Sequence, residues 1–172
     1  MLLMNKMIKK QLHHHQVNFE KSKNLQIDVF LEQIDSPANL GSIFRNAEAF
    51  GVETIWINNS NKKDLESTRF KRTSRSTWRN LKIEFYENYQ SVFKYSKGLK
   101  VGLEITSNSR NIYKLGKIET DQILLVLGNE KSGIAEDILE ELDEVYHINM
   151  FGKNSSLNVS QSLGIALHEV RR

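Results

Sequence analysis

The run Gln122–Leu127, QILLVL, followed at once by Gly128, constrains this chain more than any other segment. Successive side chains of a strand point to opposite faces of its sheet. A continuous apolar run therefore needs cover on both faces, the setting of a strand inside a parallel sheet. The rest of the chain supplies partners and cover. Gln26–Ile34 reads as a second buried strand, ended by Asp35-Ser36-Pro37. A helix through Asn39–Phe50 places Leu40, Ile43, Phe44, Ala47 and Phe50 on one stripe. Pro37, with Asp35 or Ser36 as cap, suits its start, and Gly51 suits its stop. Glu53–Asn58, Leu81–Tyr86, Lys100–Thr106 and Glu144–Met150 read as strands, and Tyr89–Lys97, Ala135–Leu142 and Ser160–Val170 as helices. Residues 59–80 read as a long polar, basic loop with room for a short helix. This alternation predicts an α/β domain with a mostly parallel sheet and helices on both faces, spanning residues 25–172. Residues 1–24 read as a basic N-terminal arm, mobile or a frayed helix.

A chain of 172 residues is long enough for one domain with a real core. Hydrophobic residues at 39% and charged residues at 26% fit a soluble globular protein. No apolar run approaches the roughly 18 residues that span a bilayer. The N-terminal apolar stretch is too short for a signal peptide. The absence of cysteine excludes disulfides, thiolate catalysis and cysteine-ligated zinc. The expectation is a cytoplasmic protein without a membrane partner.

The net charge of +3 is unevenly spread. Lys6, Lys9, Lys10, Lys21 and Lys23 face only Glu20 in the first 25 residues. Lys62, Lys63, Arg69, Lys71, Arg72, Arg75 and Arg79 face only Asp64 and Glu66. The remainder is acidic. Two basic segments on an acidic body suit a polyanionic partner, or are a solvated surface with chance clustering.

Three constellations carry chemistry, each at the C-terminal end of a strand, where α/β sheets bind ligands. In Asn39–Ala47, Arg45 lies opposite the apolar stripe. It is either a solvated surface arginine or a guanidinium offered to a ligand, with Asn39 placed to orient it. In Leu127–Gly133, Gly128 lets a ligand approach the backbone and Gly133 allows a tight turn, or both are punctuation between strand and helix. The spacing fits neither a P-loop nor GxGxxG. In Ile148–Ser160, small polar residues offer hydroxyls and backbone N–H groups at a helix start, with Asn158 as its cap.

Taken in order, N-x-G-x-x-x-R (Asn39–Arg45), L-G-x-E-x-x-G (Leu127–Gly133) and S-L-N-V-S (Ser156–Ser160) resemble the three motifs of the SpoU/TrmH-type RNA 2′-O-methyltransferases of the SPOUT superfamily. The resemblance runs from Gln26 to Arg172. It implies a C-terminal deep trefoil knot over residues 122–172 and S-adenosylmethionine as cofactor. Leu127, Gly128, Ile148, Met150, Ser156 and Leu157 would hold that cofactor. It also implies a homodimer with the final helix at the interface. Arg45 matches the catalytic arginine, and Asn39, Glu130, Ser156 and Asn158 match the other polar positions. The methyl donor is a sulfonium, so no metal is required. Because arginine stays protonated in proteins, Arg45 fits a charged clamp on phosphate and developing alkoxide better than a base. Asn39 would hold Arg45 or the ribose, and Ser156 the cofactor or the ribose. Glu130 would either fix the knot or move a proton. Asn149 stands where the family commonly has proline, which costs loop rigidity but no catalytic group.

Arg69, Arg72, Arg75 and Arg79 are the expected RNA-phosphate contacts, and Thr73–Ser76 is placed to reach a neighbouring subunit's site. Transfer RNA is the expected substrate ahead of ribosomal RNA. The competing readings are a base methyltransferase on the same fold and a catalytically silent RNA-binding homodimer. A metal tract at His13-His14-His15 is set aside, since consecutive side chains in a loose arm rarely build a site. A serine hydrolase is set aside for lack of G-x-S-x-G.

Overall fold

The computed structural model describes residues 11–12 and 24–172. The arm expected over residues 1–24, with His13, His14 and His15, falls almost wholly outside the described residues. The elements run β1 (Gln26–Leu31), α1 (Pro37–Ala49), β2 (Thr54–Asn58), α2 (Thr68–Ser74), β3 (Lys82–Tyr86), α3 (Tyr89–Tyr95), β4 (Leu99–Leu103), β5 (Arg110–Asn111), β6 (Gln122–Leu127), α4 (Glu136–Glu140), β7 (Glu144–His147) and α5 (Val159–Arg171). The strands form one sheet in the order β3-β2-β1-β6-β4-β7-β5. Every pairing is parallel.

The apolar run that opened the argument is β6, seated between β1 and β4. Its side chains divide by the two-residue period of a strand. Ile123, Leu125 and Leu127 join Ile27, Val29 and Leu31 of β1 in a core with α1, α2 and α5. Leu124 and Val126 join Phe30 in a smaller core under α3 and α4, with Val92, Phe93 and Ile138. The helices thus lie on both faces. Ser36 caps α1 through a bond from Asn39 N to its Oγ (3.3 Å), with Pro37 in the first turn.

Several boundaries differ from the expectation, each for a local reason. The first strand ends at Leu31, not Ile34, because Leu31 is the last residue in register with both β2 and β6. Ile34 turns to Asn61 instead: its N–H donates to Asn61 Oδ1 (3.1 Å) and its carbonyl accepts from Asn61 Nδ2 (2.6 Å). The expected loop over residues 59–80 is mostly helical, with 3₁₀ turns at Asn59–Glu66 and Thr77–Asn80 around α2. Phe70 is fully buried there, edge-on to Phe44 at 5.2 Å. Gly41 permits this packing, since a Cβ on it would lie 2.7 Å from the Phe70 carbonyl oxygen. The helix expected over Tyr89–Lys97 stops at Tyr95, that over Ala135–Leu142 covers only Glu136–Glu140, and the strand expected over Glu144–Met150 ends at His147. The short strand β5 and the 3₁₀ turn Ile112–Lys117 are additional elements.

One terminal side chain fastens the two ends of this unit. Arg171 donates to the carbonyls of Phe50 (Nε, 2.9 Å), Leu25 (Nη1, 2.8 Å) and Gly51 (Nη2, 2.8 Å). It thereby joins α5 to the end of α1 and the entry of β1. Arg171→Ala is expected to remove about 2 kcal/mol, the scale of lost charge-assisted hydrogen bonds. A lower urea midpoint at unchanged slope would show this.

Glu32, just past β1, contributes a pH dependence. Its Oε2 accepts from Ala135 N (3.2 Å), yet burial holds its carboxyl above the usual carboxylate range. A raised carboxyl binds its proton more tightly folded than unfolded. Its contribution to stability is therefore present below the usual range and is lost as pH rises through the raised one. Glu32→Gln has no charge to bury. The stability of the variant relative to the parent should be more favourable at about pH 7 than at about pH 4. Urea midpoints at both pH values would reveal an unchanged difference if this reading is wrong.

No helix among the described residues is long and apolar enough to cross a membrane.

Candidate functional site

The carboxyl ends of β6, β4 and β7 are neighbours in the sheet, and the chain leaving each one forms a wall of a single cleft of about 370 Å³. β4 contributes Leu103, with Glu104 and Ile105 beyond it. β6 contributes Leu127, and the turn after it Gly128, Asn129, Glu130, Lys131 and Gly133. β7 contributes Tyr146 and His147, followed by Ile148, Met150, Ser156, Leu157 and Asn158. Asn39, from the first turn of α1, closes one side. A cleft of this size and mixed lining suits a small organic ligand with an apolar body and a polar end.

The turn after β6 is shaped by its two glycines. Gly133 adopts a positive φ of 72°, open to glycine at little cost. Asn129 and Gly133 exchange two backbone hydrogen bonds of 3.0 Å, folding the turn back on itself. Gly128 lies hard against that fold: a Cβ there would meet the Gly133 carbonyl oxygen and the Ile134 nitrogen, both at 2.3 Å. The neighbour requiring glycine at 128 is therefore the chain itself. Of the two roles the sequence allows Gly128, ligand approach and punctuation of the strand-to-helix turn, this packing fits the turn.

A polar chain links all three constellations. Glu130 accepts from the N–H groups of Asp35 (2.9 Å) and Ser36 (3.2 Å) and from Asn39 Nδ2 (2.9 Å). Asn39 Oδ1 in turn accepts from Asn158 Nδ2 (2.8 Å). Asn158 caps α5, its Oδ1 accepting from Ser160 N (2.9 Å) and Ser160 Oγ (2.7 Å). The N-termini of α1 and α5 are thus held side by side, and Glu130 lies over the positive end of α1. Both Glu130 oxygens are engaged by N–H donors, the geometry of a structural clip. Beside it, Lys131 Nζ meets Asp35 Oδ2 at 3.0 Å. The lysine holds the Asp35 carboxyl below its usual range, and the aspartate raises the lysine. Both groups are exposed, so this pair adds little to stability.

The Tyr146 phenol, pushed up to about 12 by burial, bonds Glu144, which lies outside the cleft lining. Glu104 Oε1 accepts from Ile105 N (2.8 Å) and its Oε2 from Ile134 N (3.2 Å), tying the β4 loop to the β6 turn. Glu104 and His147 went unnoticed as site residues in the sequence. Both stand inside strands expected from the sequence, Lys100–Thr106 and Glu144–Met150, and only the observed end of β4 at Leu103 puts Glu104 at a strand's end.

Of the residues singled out from the sequence, Asn39, Leu127, Gly128, Glu130, Ile148, Met150, Ser156, Leu157 and Asn158 all line the cleft. Arg45 does not line it. It stands exposed on the outer face of α1, with no hydrogen bond or ion pair among the described residues. Arg69, Arg72, Arg75 and Arg79 are exposed along α2 and the turn beyond it. Arg75, which ends α2, has a positive φ of 54°, unusual for a residue with a Cβ. The Arg79 guanidinium lies over the Trp78 ring at 5.8 Å. Among the described residues no cluster of three or more histidines and carboxylates has the arrangement of a metal site.

Residues 26–168 match the model of the SpoU rRNA Methylase family. A protein of Borreliella burgdorferi named as an uncharacterized tRNA/rRNA methyltransferase is 31% identical over 155 residues, covering 90% of this chain and 67% of that protein. A 23S rRNA guanosine-2′-O-methyltransferase of Blochmanniella floridana is 32% identical over 169 residues, covering 91% of this chain and 62% of the relative. The crystal structure of the TrmH/SpoU tRNA modifying enzyme of A. aeolicus superposes with a TM-score of 0.74 at 27% identity, over 88% of this chain and 76% of that one. The chain therefore spans roughly two thirds of the length of these two sequence relatives.

Proposed function

The chain belongs to the SpoU methylase family, and from that premise we propose that it is an S-adenosylmethionine-dependent RNA methyltransferase acting on a ribose 2′-hydroxyl. The observation that carries this reading is the cleft, where residues of all three constellations meet at adjacent strand ends.

The lining fits the cofactor. Leu127, Ile148, Met150 and Leu157 offer apolar surface to an adenosine, while Gly128 and Ser156 offer backbone and hydroxyl to its polar groups. The Glu104 and Glu130 carboxylates favour a positively charged ligand. When bound, S-adenosylmethionine supplies an electrophilic methyl group on a sulfonium. In the transfer the ribose O–H bond would break, its proton leaving to solvent or substrate phosphate, and an O–CH₃ bond would form as the S–CH₃ bond breaks and leaves its electron pair on sulfur in a neutral thioether. This chain's residues hold the acceptor in line with the donor, which contributes about 7–11 kcal/mol when the geometry is near-attack.

Arg45 acts as the charged clamp. Its exposed guanidinium, unpaired among the described residues, can grip a phosphate bidentately and stabilise the developing alkoxide. Asn39 and Asn158 hold the rim of the cleft, and Glu130 holds Asn39. The clip geometry of Glu130 favours its fixing role over proton transfer. Arg69, Arg72, Arg75 and Arg79 bind RNA phosphates, and Arg75 with Thr73–Ser76 reaches the site of a second subunit. The homodimer packs through α5, which exposes Ile165. The same reading carries a trefoil knot over residues 122–172, supported by β6 lying between strands made earlier and α5 returning to pack on α1. Transfer RNA is the first substrate to test, because the tRNA modifying enzyme shares the larger part of its length with this chain.

The test incubates the protein with methyl-labelled S-adenosylmethionine and either total transfer RNA or ribosomal RNA, then digests the product to nucleosides. Label in a 2′-O-methyl nucleoside from the transfer RNA pool is the expected result. Label on a base would overturn the ribose assignment. Label only from ribosomal RNA would overturn the substrate. No cofactor binding would leave a silent RNA-binding protein.

A further inference from the structure

We propose that His147 is a positioning residue for the cofactor side of the cleft, a ring that clips the loop after β4 to the loop after β7. The inference rests on the methyltransferase reading of that cleft. His147 ends β7 and lines the cleft. Its Nδ1 lies 2.9 Å from Ser109 Oγ and its Nε2 lies 3.1 Å from Asn149 Oδ1. Ser109 belongs to the loop leaving β4, whose Glu104 and Ile105 form one wall. Asn149 stands between Ile148 and Met150, which form the facing wall. The backbone ladder holds the roots of both loops, β4 pairing Leu103 with Tyr146 and β5 pairing Arg110 with Tyr146 and Asn111 with His147, but it does not extend to Ser109 or Asn149. To that ladder and the bond from Glu104 N to the Tyr146 carbonyl (3.0 Å), the imidazole adds a side-chain link between the loop after β4 and the loop after β7.

Proton counting shows how specific the clip is. Ser109 Oγ accepts from Thr106 N (3.0 Å) and has one hydrogen to give, to the Thr106 carbonyl (2.8 Å) or to the ring. If that hydrogen goes to Thr106, Nδ1 must carry the ring's proton and donate to Ser109. Nε2 of a neutral ring is then bare and needs a donor, which Asn149 provides by turning its amide. If the hydrogen goes to the ring, Nε2 carries the proton and donates to Asn149 Oδ1. Either neutral tautomer satisfies both contacts, because each neighbour can donate or accept. An apolar residue at 147 satisfies neither, and beyond the backbone ladder Ser109 and Asn149 then lose their side-chain tie.

The consequence is a loss of cofactor affinity rather than of the chemical step. Calorimetric titration of the intact protein with S-adenosylmethionine should give a dissociation constant about tenfold weaker for His147→Leu. The rate constant at saturating cofactor and RNA should stay within about twofold. His147→Asn places an amide near the Nδ1 position, keeps the bond to Ser109 and should recover most of the affinity. Ser109→Ala should weaken binding in the same direction as His147→Leu, and adding it to His147→Leu should cost little more. Unchanged affinity in His147→Leu, an equal fall in rate constant and affinity, or failure of asparagine to restore binding would each overturn the proposal. The parent protein separates the two readings. If it binds no cofactor, the methyltransferase reading falls and takes this one with it. If it binds and methylates while His147→Leu does the same, only the clip is wrong.

Discussion

Replacing Arg45 with alanine is expected to lower the methyl-transfer rate constant roughly 10²- to 10³-fold, the usual cost of removing one charge-stabilising donor from a transition state. Cofactor affinity should be unchanged, because Arg45 stands outside the cleft lining. Stability should be nearly unchanged too, since the side chain is exposed and unpaired among the described residues. That combination separates a chemical role from a structural one. Arg45→Lys keeps the charge but loses the planar fork that matches a phosphate, so it should fall between parent and alanine. The pH dependence decides between clamp and base. A neutral guanidine acting as base would make the rate climb with pH far beyond neutrality, whereas a clamp is charged throughout and imposes no such climb. An alanine variant as fast as the parent would remove Arg45 from the mechanism.

Gly128→Ala should produce the largest loss of stability, about 3 kcal/mol. Its Cβ would lie 2.2–2.3 Å from backbone atoms of Gly133 and Ile134, which cannot swing aside as a side chain tip can. The turn that carries Glu130 would have to move, and with it the bonds to Asp35, Ser36 and Asn39. Cofactor binding should be lost along with stability. Gly152→Ala is the matched comparison, on the other loop of the same cleft. Nothing lies within 4 Å of its Cβ position, so its midpoint in urea should move by less than about 0.5 kcal/mol. Equal effects at the two glycines would refute the packing argument.

The sequence made some parts of this molecule legible and hid others, for physical reasons. The strand Gln122–Leu127 was readable to the residue because burial on both faces leaves an unbroken apolar run bounded by polar residues and glycine. Ser36, Pro37 and Asn158 announced helix starts because capping chemistry is local. The end of β1 was not local: Ile34 is as apolar as Leu31, and only the register of β2 and β6 decides which one is paired. Strand β5, Arg110–Asn111, has no apolar residue to betray it. The helical turns over residues 59–80 were obscured by their charge, although Ser67 three residues before Phe70 was a capping signal, with Ser67 Oγ accepting from Phe70 N. At the candidate site, helix-start chemistry pointed to Asn39 and Asn158, and the family resemblance to Glu130, each separately. That they form one hydrogen-bonded chain depends on tertiary contacts spanning 91 and 119 residues, which spacing cannot reveal.

The placement of β6 also governs how the molecule can come into being. Synthesis delivers β1 to β5 before the strand that belongs between β1 and β4. Until Gln122–Leu127 leaves the ribosome, β1 and β4 each present an unpaired edge toward an empty central lane, and such edges invite association with other chains. The sheet cannot assemble vectorially from its N-terminus. It waits for a late, long-range insertion, and a topology dominated by distant contacts folds slowly. Nascent chains of this protein are therefore most vulnerable to aggregation while the central strand is still unmade, and would profit most from chaperone protection in that interval.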